Sequence, residues 1–137
     1  MLTNRTPYSI LAMVCLAREY GKGTLMINEI ATSEKIPKRF LEGILLELKK
    51  NGYLDSKLGK NGGYYLIKAP DSVNLLEIIR LFKGSIALLA CTSEKYYQSC
   101  GHYKDEATCT IWQTFFDIRS YTFGKLAATS LADHINK

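Results

Sequence analysis

Cys91, Cys100 and Cys109 stand at equal intervals of nine residues in a polar stretch between two apolar ones. Three gathered thiolates are the donor set of a metal or iron–sulfur centre. The spacing limits how they can meet. At about 100° per residue, a nine-residue step on an α-helix turns the side chain through roughly half a circle. An odd step along a strand also reverses the face. Successive cysteines point apart in either element, so only a folded loop can bring the three sulfurs together.

The rest of the chain must position that loop and give it an output. The 137 residues, 47% hydrophobic and 23% charged, suit one ordinary domain with a real core and argue against disorder. No apolar run approaches about 18 residues, so no transmembrane helix and no membrane partner are expected. Met1 to Pro7 carries no signal-peptide pattern. The expectation is a cytoplasmic protein, where thiols stay reduced and cysteines are more often ligands, redox centres or core residues than disulfides. Cys15, on the apolar face of the first helix, reads as a small core residue.

The net charge of +5 is confined to one half. Residues 1–70 hold 11 Lys/Arg and 6 Asp/Glu, whereas residues 71–137 hold 7 of each. An anionic partner would meet the first half. There, Thr6-Pro7 reads as an N-cap and first helical position, and Gly21 to Gly23 ends the helix. Asn28 can cap a short helix over 29–34. Lys35-Ile36 is a tight turn, and Pro37 starts a helix with Phe40, Leu41, Ile44, Leu45 and Leu48 at helical spacing, closed by Gly52. Two short helices joined by a short turn are a helix-turn-helix. Strands over 53–57 and 64–68 follow, separated by the glycine-rich turn Leu58 to Gly63. A hairpin directly after the second helix makes a winged helix-turn-helix. Lys38, Arg39, Lys49, Lys50, Lys57 and Lys60 all fall on its recognition helix or wing, which suits a helix in the major groove of double-stranded DNA with flanking phosphate contacts.

Beyond Ala69-Pro70, a helix over 73–82 is largely apolar. Asp105 can cap a long aromatic helix beginning near Ala107 and carrying Ile111, Trp112, Phe115, Phe116, Ile118, Tyr121 and Phe123. Its apolar surface is wide for one small domain, which predicts a dimerisation helix packed on its twin. Ser130 opens a final short turn. The expected fold is therefore mainly α with a small β-hairpin wing: a winged helix-turn-helix domain over 1–70, then a helical dimerisation and sensory region over 71–137 with the cysteine loop at 91–109.

These segments resemble the Rrf-two family of bacterial winged-helix regulators, whose members include IscR-, NsrR- and CymR-type proteins. The resemblance rests on Tyr8-Ser9-Ile10-Leu11-Ala12-Met13, Glu29-Ile30-Ala31, Ile36-Pro37-Lys38-Arg39-Phe40-Leu41-Glu42 and Leu48-Lys49-Lys50-Asn51-Gly52. It continues through Gly59-Lys60-Asn61-Gly62-Gly63-Tyr64, Leu75-Leu76-Glu77-Ile78-Ile79 and Thr129-Ser130-Leu131-Ala132-Asp133. It implies a homodimeric transcriptional regulator on an imperfect palindromic operator, with Arg39 and Glu42 at the DNA-facing start of the recognition helix and Asn61 in the wing. It also implies that Cys91, Cys100 and Cys109 hold an iron–sulfur cluster, 2Fe–2S or 4Fe–4S, whose state changes DNA binding.

The chain departs from the family pattern in its cysteine spacing, which is longer than is usual in IscR-like members, and at three further positions. Trp112 stands where IscR-like members place a histidine ligand, and Pro7 where NsrR-like members can draw a carboxylate. Leu58 stands where IscR-type wings carry an arginine. The fourth ligand is then His102, Glu94, Asp105, Glu106, an exogenous molecule or a residue of the partner subunit, with His102 the first choice because imidazole ligates iron in some clusters. Two cluster-free alternatives keep the same fold: a reversible thiol–disulfide switch, or control by a protein partner. An enzyme built on Cys100 and His102 is not expected, because no third group orients the pair.

Overall fold

The structure is a computed structural model, and the residues it describes are 5–60, 62–83, 86–93, 97–99 and 109–135. The elements run in the order α1 (Arg5–Arg18), α2 (Ile27–Glu34), α3 (Lys38–Lys50), β1 (Leu54–Lys57), β2 (Gly63–Leu66), α4 (Leu75–Phe82), α5 (Thr110–Ala128) and α6 (Ala132–Ile135). Short 3-10 turns at Pro70–Ser72 and Ala90–Thr92 precede α4 and α5. This is the mainly helical, winged architecture that the apolar spacing predicts.

One core joins the helices. Met13 and Leu16 of α1, Ile30 of α2, and Leu41, Ile44, Leu45 and Leu48 of α3 are buried together with Leu54 and Leu66 of the wing. The i, i+3, i+4 spacing on α3 puts all four of its core residues on one side, leaves Arg39, Glu42 and Lys50 exposed on the other, and leaves Lys38 and Lys49 exposed at the flanks. Val73, Ile78 and Leu131 belong to the same core. Leu131 donates its backbone N–H to the Val73 carbonyl, and Leu75 donates to that of Thr129. The end of the chain is thereby tied back to the start of α4.

Several helix boundaries move for local reasons. Met26, not Asn28, caps α2, because the Glu29 carboxylate reaches back to the Met26 N–H at 3.2 Å. The following turn passes through Lys35 with φ 56°. Thr6 lies inside α1 with its hydroxyl buried, and Ser9 donates to its carbonyl at 2.7 Å. α4 begins at Leu75 rather than Val73. Asn74 accepts the Glu77 N–H at 3.0 Å while Glu77 accepts the Asn74 N–H at 3.2 Å, a reciprocal cap that leaves Val73 extended. α5 begins at Thr110, capped by Cys109; Asp105 and Ala107 lie outside the described residues.

β1 and β2 pair antiparallel with Leu54 opposite Leu66 and Lys57 opposite Gly63. Leu25 bridges to Tyr64 on the other edge of β2, with N–H···O distances of 2.9 and 2.8 Å. Gly63 permits this approach: its φ is +145°, and a Cβ there would stand 2.5 Å from the Leu25 oxygen.

Candidate functional site

Two surfaces carry the chemistry that the sequence singles out. The first is the outer side of α3 and the wing. Arg39 is exposed at the first turn of α3 with its guanidinium 4.8 Å from the Phe40 ring centroid. Phe40 in turn packs on Tyr8 of α1 with centroids 6.2 Å apart. The aromatic pair props the guanidinium at the helix start, where a recognition helix meets base edges. Glu42 is exposed one turn further on, beside Gly43.

Lys49 donates to Ser56 at 2.7 Å, tying the end of α3 to β1. Lys57 lies 5.4 Å over the Tyr65 ring. Lys38, Lys50 and Lys60 are exposed. Asn61 lies outside the described residues. Two apolar residues missing from the sequence-based set share this surface. Leu46, 54% exposed, continues the stripe Arg39–Glu42–Gly43–Leu46–Lys50, and Leu58 is fully exposed at the wing tip. The three- and four-residue steps along α3 were the available signal for Leu46.

The second surface surrounds the cysteines. Cys91 is buried in the 3-10 turn Ala90–Thr92. Cys109 caps α5, and its sulfur accepts the Trp112 backbone N–H at 3.3 Å. The Trp112 indole N–H donates to the Cys91 carbonyl oxygen at 2.9 Å. One tryptophan therefore touches both cysteine positions. Cys100, His102, Glu94, Asp105 and Glu106 lie outside the described residues, and among the described residues no group of three or more His, Cys, Asp or Glu is placed to hold a metal ion. Cys15 is a core residue. Burial, followed by the nearby Glu34 carboxylate, pushes its thiol pKa up, which keeps it protonated and unsuited to ligation.

From Trp112 an aromatic and cationic ladder descends α5. Trp112 stacks on Phe116 with centroids 4.7 Å apart and planes 12° apart. The buried Arg119 guanidinium lies 5.7 Å from the Phe116 centroid and 5.1 Å from that of Phe123. Arg80 of α4 stands 5.1 Å from the same Phe123 ring. Arg80 also lines a cleft of about 580 Å³ with Asn51, Tyr53 and Glu77. Across it the Tyr53 hydroxyl donates to Glu77 at 2.8 Å. Contacts thus run from the cysteine positions through α5 and α4 to the junction of α3 with the wing. The four- and three-residue steps from Trp112 through Phe116 and Arg119 to Phe123 were visible in the sequence. What they pack against was not.

Residues 2–137 match the profile of the Rrf2 family, described as iron-dependent transcriptional regulators. The chain belongs to the Rrf2 family. Over 121 residues it is 43% identical to an rrf2-like HTH-type transcriptional regulator of Rhodobacter capsulatus, covering 86% of this chain and 81% of that one. Over 90 residues it is 38% identical to the transcriptional regulator NsrR of Bacillus licheniformis, covering 66% of this chain and 63% of that one. Its fold matches the solved CymR of B. subtilis, described as the global cysteine regulator, with a TM-score of 0.82, 24% identity, and coverage of 99% and 96% of the two chains. This Rrf2 protein is a DNA-binding transcriptional regulator. Among the described residues no helix is long and apolar enough to cross a membrane.

Proposed function

We propose that this Rrf2 protein is a homodimeric regulator whose operator binding is controlled by an iron–sulfur cluster held by Cys91, Cys100 and Cys109. The observation that carries the proposal is Trp112, which hydrogen-bonds Cys109 through its backbone N–H and Cys91 through its indole. Two cysteines eighteen residues apart in sequence are brought to one residue, Cys109 to its backbone N–H and Cys91 to its indole. The donor set fits a cluster: thiolates are its ligands, and an N–H aimed at a coordinated sulfur stabilises the negative charge that sulfur retains. His102 is the candidate fourth ligand. The cluster would supply redox and nitric-oxide reactivity. The protein's part is to hold the two cysteine segments against α5 and to pass a change there along the ladder to α4 and the base of the wing.

The outer side of α5 supports dimerisation. Ile111, Ile118 and Tyr121 are 53%, 45% and 75% exposed. Ile118 also borders an open, largely apolar groove of about 610 Å³ with Ile79, Ile86, Ala87, Leu88 and Leu126. A second α5 would cover both. On DNA, Lys38, Lys49, Lys57 and Lys60 would contact phosphates. Arg39, Glu42 and Asn61 would face bases in each half of a palindromic site, in a cytoplasmic protein acting on the chromosome.

A second reading is favoured by the same tryptophan. Its indole is spent on a backbone carbonyl at the place where the resemblance expects a histidine ligand. A cluster-free regulator using a thiol–disulfide switch or a protein partner accounts for that. Anaerobic purification separates the readings. Bound iron and acid-labile sulfide with visible absorbance, lost in Cys91→Ala, Cys100→Ala and Cys109→Ala together with the change in operator binding, are the expected results. Colourless protein after cluster reconstitution would sink the first reading in favour of the second.

A further inference from the structure

Two opposite charges line the cleft of about 580 Å³ between α4 and the base of the wing, and they do not meet. Glu77 and Arg80 are three residues apart on α4, a spacing at which acid and base ordinarily pair on a helix surface. Each is held elsewhere. One Glu77 oxygen accepts the Tyr53 hydroxyl at 2.8 Å, and the other accepts the Asn74 N–H at 3.2 Å. The half-buried Arg80 guanidinium lies 5.1 Å from the Phe123 ring centroid. Among the described residues it is paired with no carboxylate. A ring occupies one face of a guanidinium and leaves the N–H donors along its edges, in the fork that fits a carboxylate.

The amides of the cleft are divided in the same way. Asn51 spends its NH2 on the Glu47 carbonyl and carboxylate, at 2.8 and 3.3 Å, and keeps its Oδ1 as an acceptor. Asn74 spends its Oδ1 on the Glu77 N–H at 3.0 Å and keeps its NH2 as a donor. The lining thus offers donors from Arg80 and Asn74 and acceptors from Glu77 and Asn51, with Leu76 and Leu81 as its apolar part. A simple anion would meet Glu77, and a simple cation would meet Arg80. A small zwitterion satisfies both. We propose that this cleft is a binding site for a free α-amino acid with an apolar side chain, its carboxylate on Arg80, its ammonium on Glu77 and its side chain against Leu76 and Leu81.

The volume lies within the range of about 300–1,000 Å³ of small-ligand sites. The position gives the occupant an output. Asn51 and Tyr53 belong to the end of α3 and the entry to β1, whereas Glu77 and Arg80 belong to α4. A molecule held by both sides braces the wing against α4. That is a route from a metabolite to operator affinity separate from the cysteines. The ligand site needs no cluster, and only its effect on operator affinity rests on the DNA-binding assignment.

The test titrates the full chain calorimetrically with L-valine, L-leucine and L-methionine. Two analogues of leucine go beside them: 4-methylpentanoate, which lacks the ammonium, and 3-methylbutylamine, which lacks the carboxylate. At least one of the amino acids should bind at one site per chain. Each analogue should bind about ten- to hundredfold more weakly than leucine, because one charged group of the cleft is left without its partner. Glu77→Gln can still cap α4 and removes only the charge; it and Arg80→Gln should weaken the amino acid by a similar factor. Binding of none of the three amino acids overturns the proposal, as does 4-methylpentanoate equalling leucine or Glu77→Gln retaining full affinity. A saturating amino acid should also tighten binding to a duplex enriched by the protein from a random-sequence pool, and that duplex should tighten amino-acid binding by the same factor. Amino-acid binding with no such coupling would overturn the bracing of the wing. Failure to enrich any duplex would overturn the DNA-binding assignment and leave the calorimetric result standing, which distinguishes the two failures.

Discussion

The indole N–H of Trp112 donates to the carbonyl oxygen of Cys91 at 2.9 Å, so the first turn of α5 fixes the backbone of the short turn that carries a cysteine. Trp112→Phe keeps an aromatic ring to stack on Phe116 and removes only the donor. The loss should destabilise the fold by about 0.5–1.5 kcal/mol. For a domain of this size that is a fall of roughly 2–6 °C in Tm. Thermal melts check the stability. If the cysteines hold a cluster, anaerobic absorbance decay should also be faster in this variant, because the Cys91 segment has lost its tether.

Arg80 and Phe123 join α4 to α5 through one guanidinium–ring contact at 5.1 Å. A double-mutant cycle with Arg80→Met and Phe123→Leu should give a coupling of about 0.5–1 kcal/mol in denaturant unfolding. If the cysteines hold a cluster, the same variants should bind operator DNA but respond less to its loss, since the ladder is broken between the cysteines and α4. Operator titrations on both states of the protein measure this. An unchanged response in Arg80→Met would show that the signal takes another route.

α3 and the wing were legible in the sequence because both obey short-range rules. The spacing of Leu41, Ile44, Leu45 and Leu48 fixes which side of α3 is buried, and the glycine-rich turn fixes the hairpin. The boundaries that moved did so through side chains reaching back along the chain, as Glu29 does to Met26 and Glu77 to Asn74. On α5 the aromatic run implied a surface for a second copy. In the structure, however, Trp112, Phe116 and Phe123 are occupied within the chain, by Cys91, Arg119 and Arg80. The Phe116–Arg119 contact is local, three residues apart on one helix, but Cys91 and Arg80 lie on other elements, and no pattern within α5 encodes that its aromatic face meets them. Ile111, Ile118 and Tyr121 stay exposed on α5.

Tyr53 ties the base of the wing to Glu77 of α4. Its phenol pKa is raised above the ordinary value of 10.0, first by burial and then by the hydrogen bond and negative charge of Glu77. The folded state therefore holds this proton more tightly than the unfolded chain. The stability it supplies is intact below about pH 10 and is lost as pH rises through the folded value. Tyr53→Phe should be less stable than wild type by about 1 kcal/mol at pH 7. The difference should shrink as the pH is raised above 10. Denaturant midpoints at pH 7, 9 and 10.5 measure it. A constant gap would show that the phenol proton plays no part in the alkaline loss.

Gly63 and Gly43 should respond oppositely to the same substitution. At Gly63 a Cβ would stand 2.5 Å from the Leu25 oxygen on a backbone with φ +145°. Gly63→Ala must open the Leu25–Tyr64 bridge or distort the wing, so it should destabilise by more than about 1 kcal/mol and weaken DNA binding with it. Gly43 lies inside α3 at an ordinary helical φ, and a Cβ there meets nothing within 4 Å. Gly43→Ala should therefore stabilise the isolated protein by about 0.5–1 kcal/mol through helix propensity. Gly43 sits between Arg39 and Leu46 on the exposed stripe, where a backbone without a side chain can approach the groove most closely. The added methyl should lower operator affinity while the melting temperature rises. A variant that gains stability and keeps full affinity would show that this part of α3 stands clear of the bases.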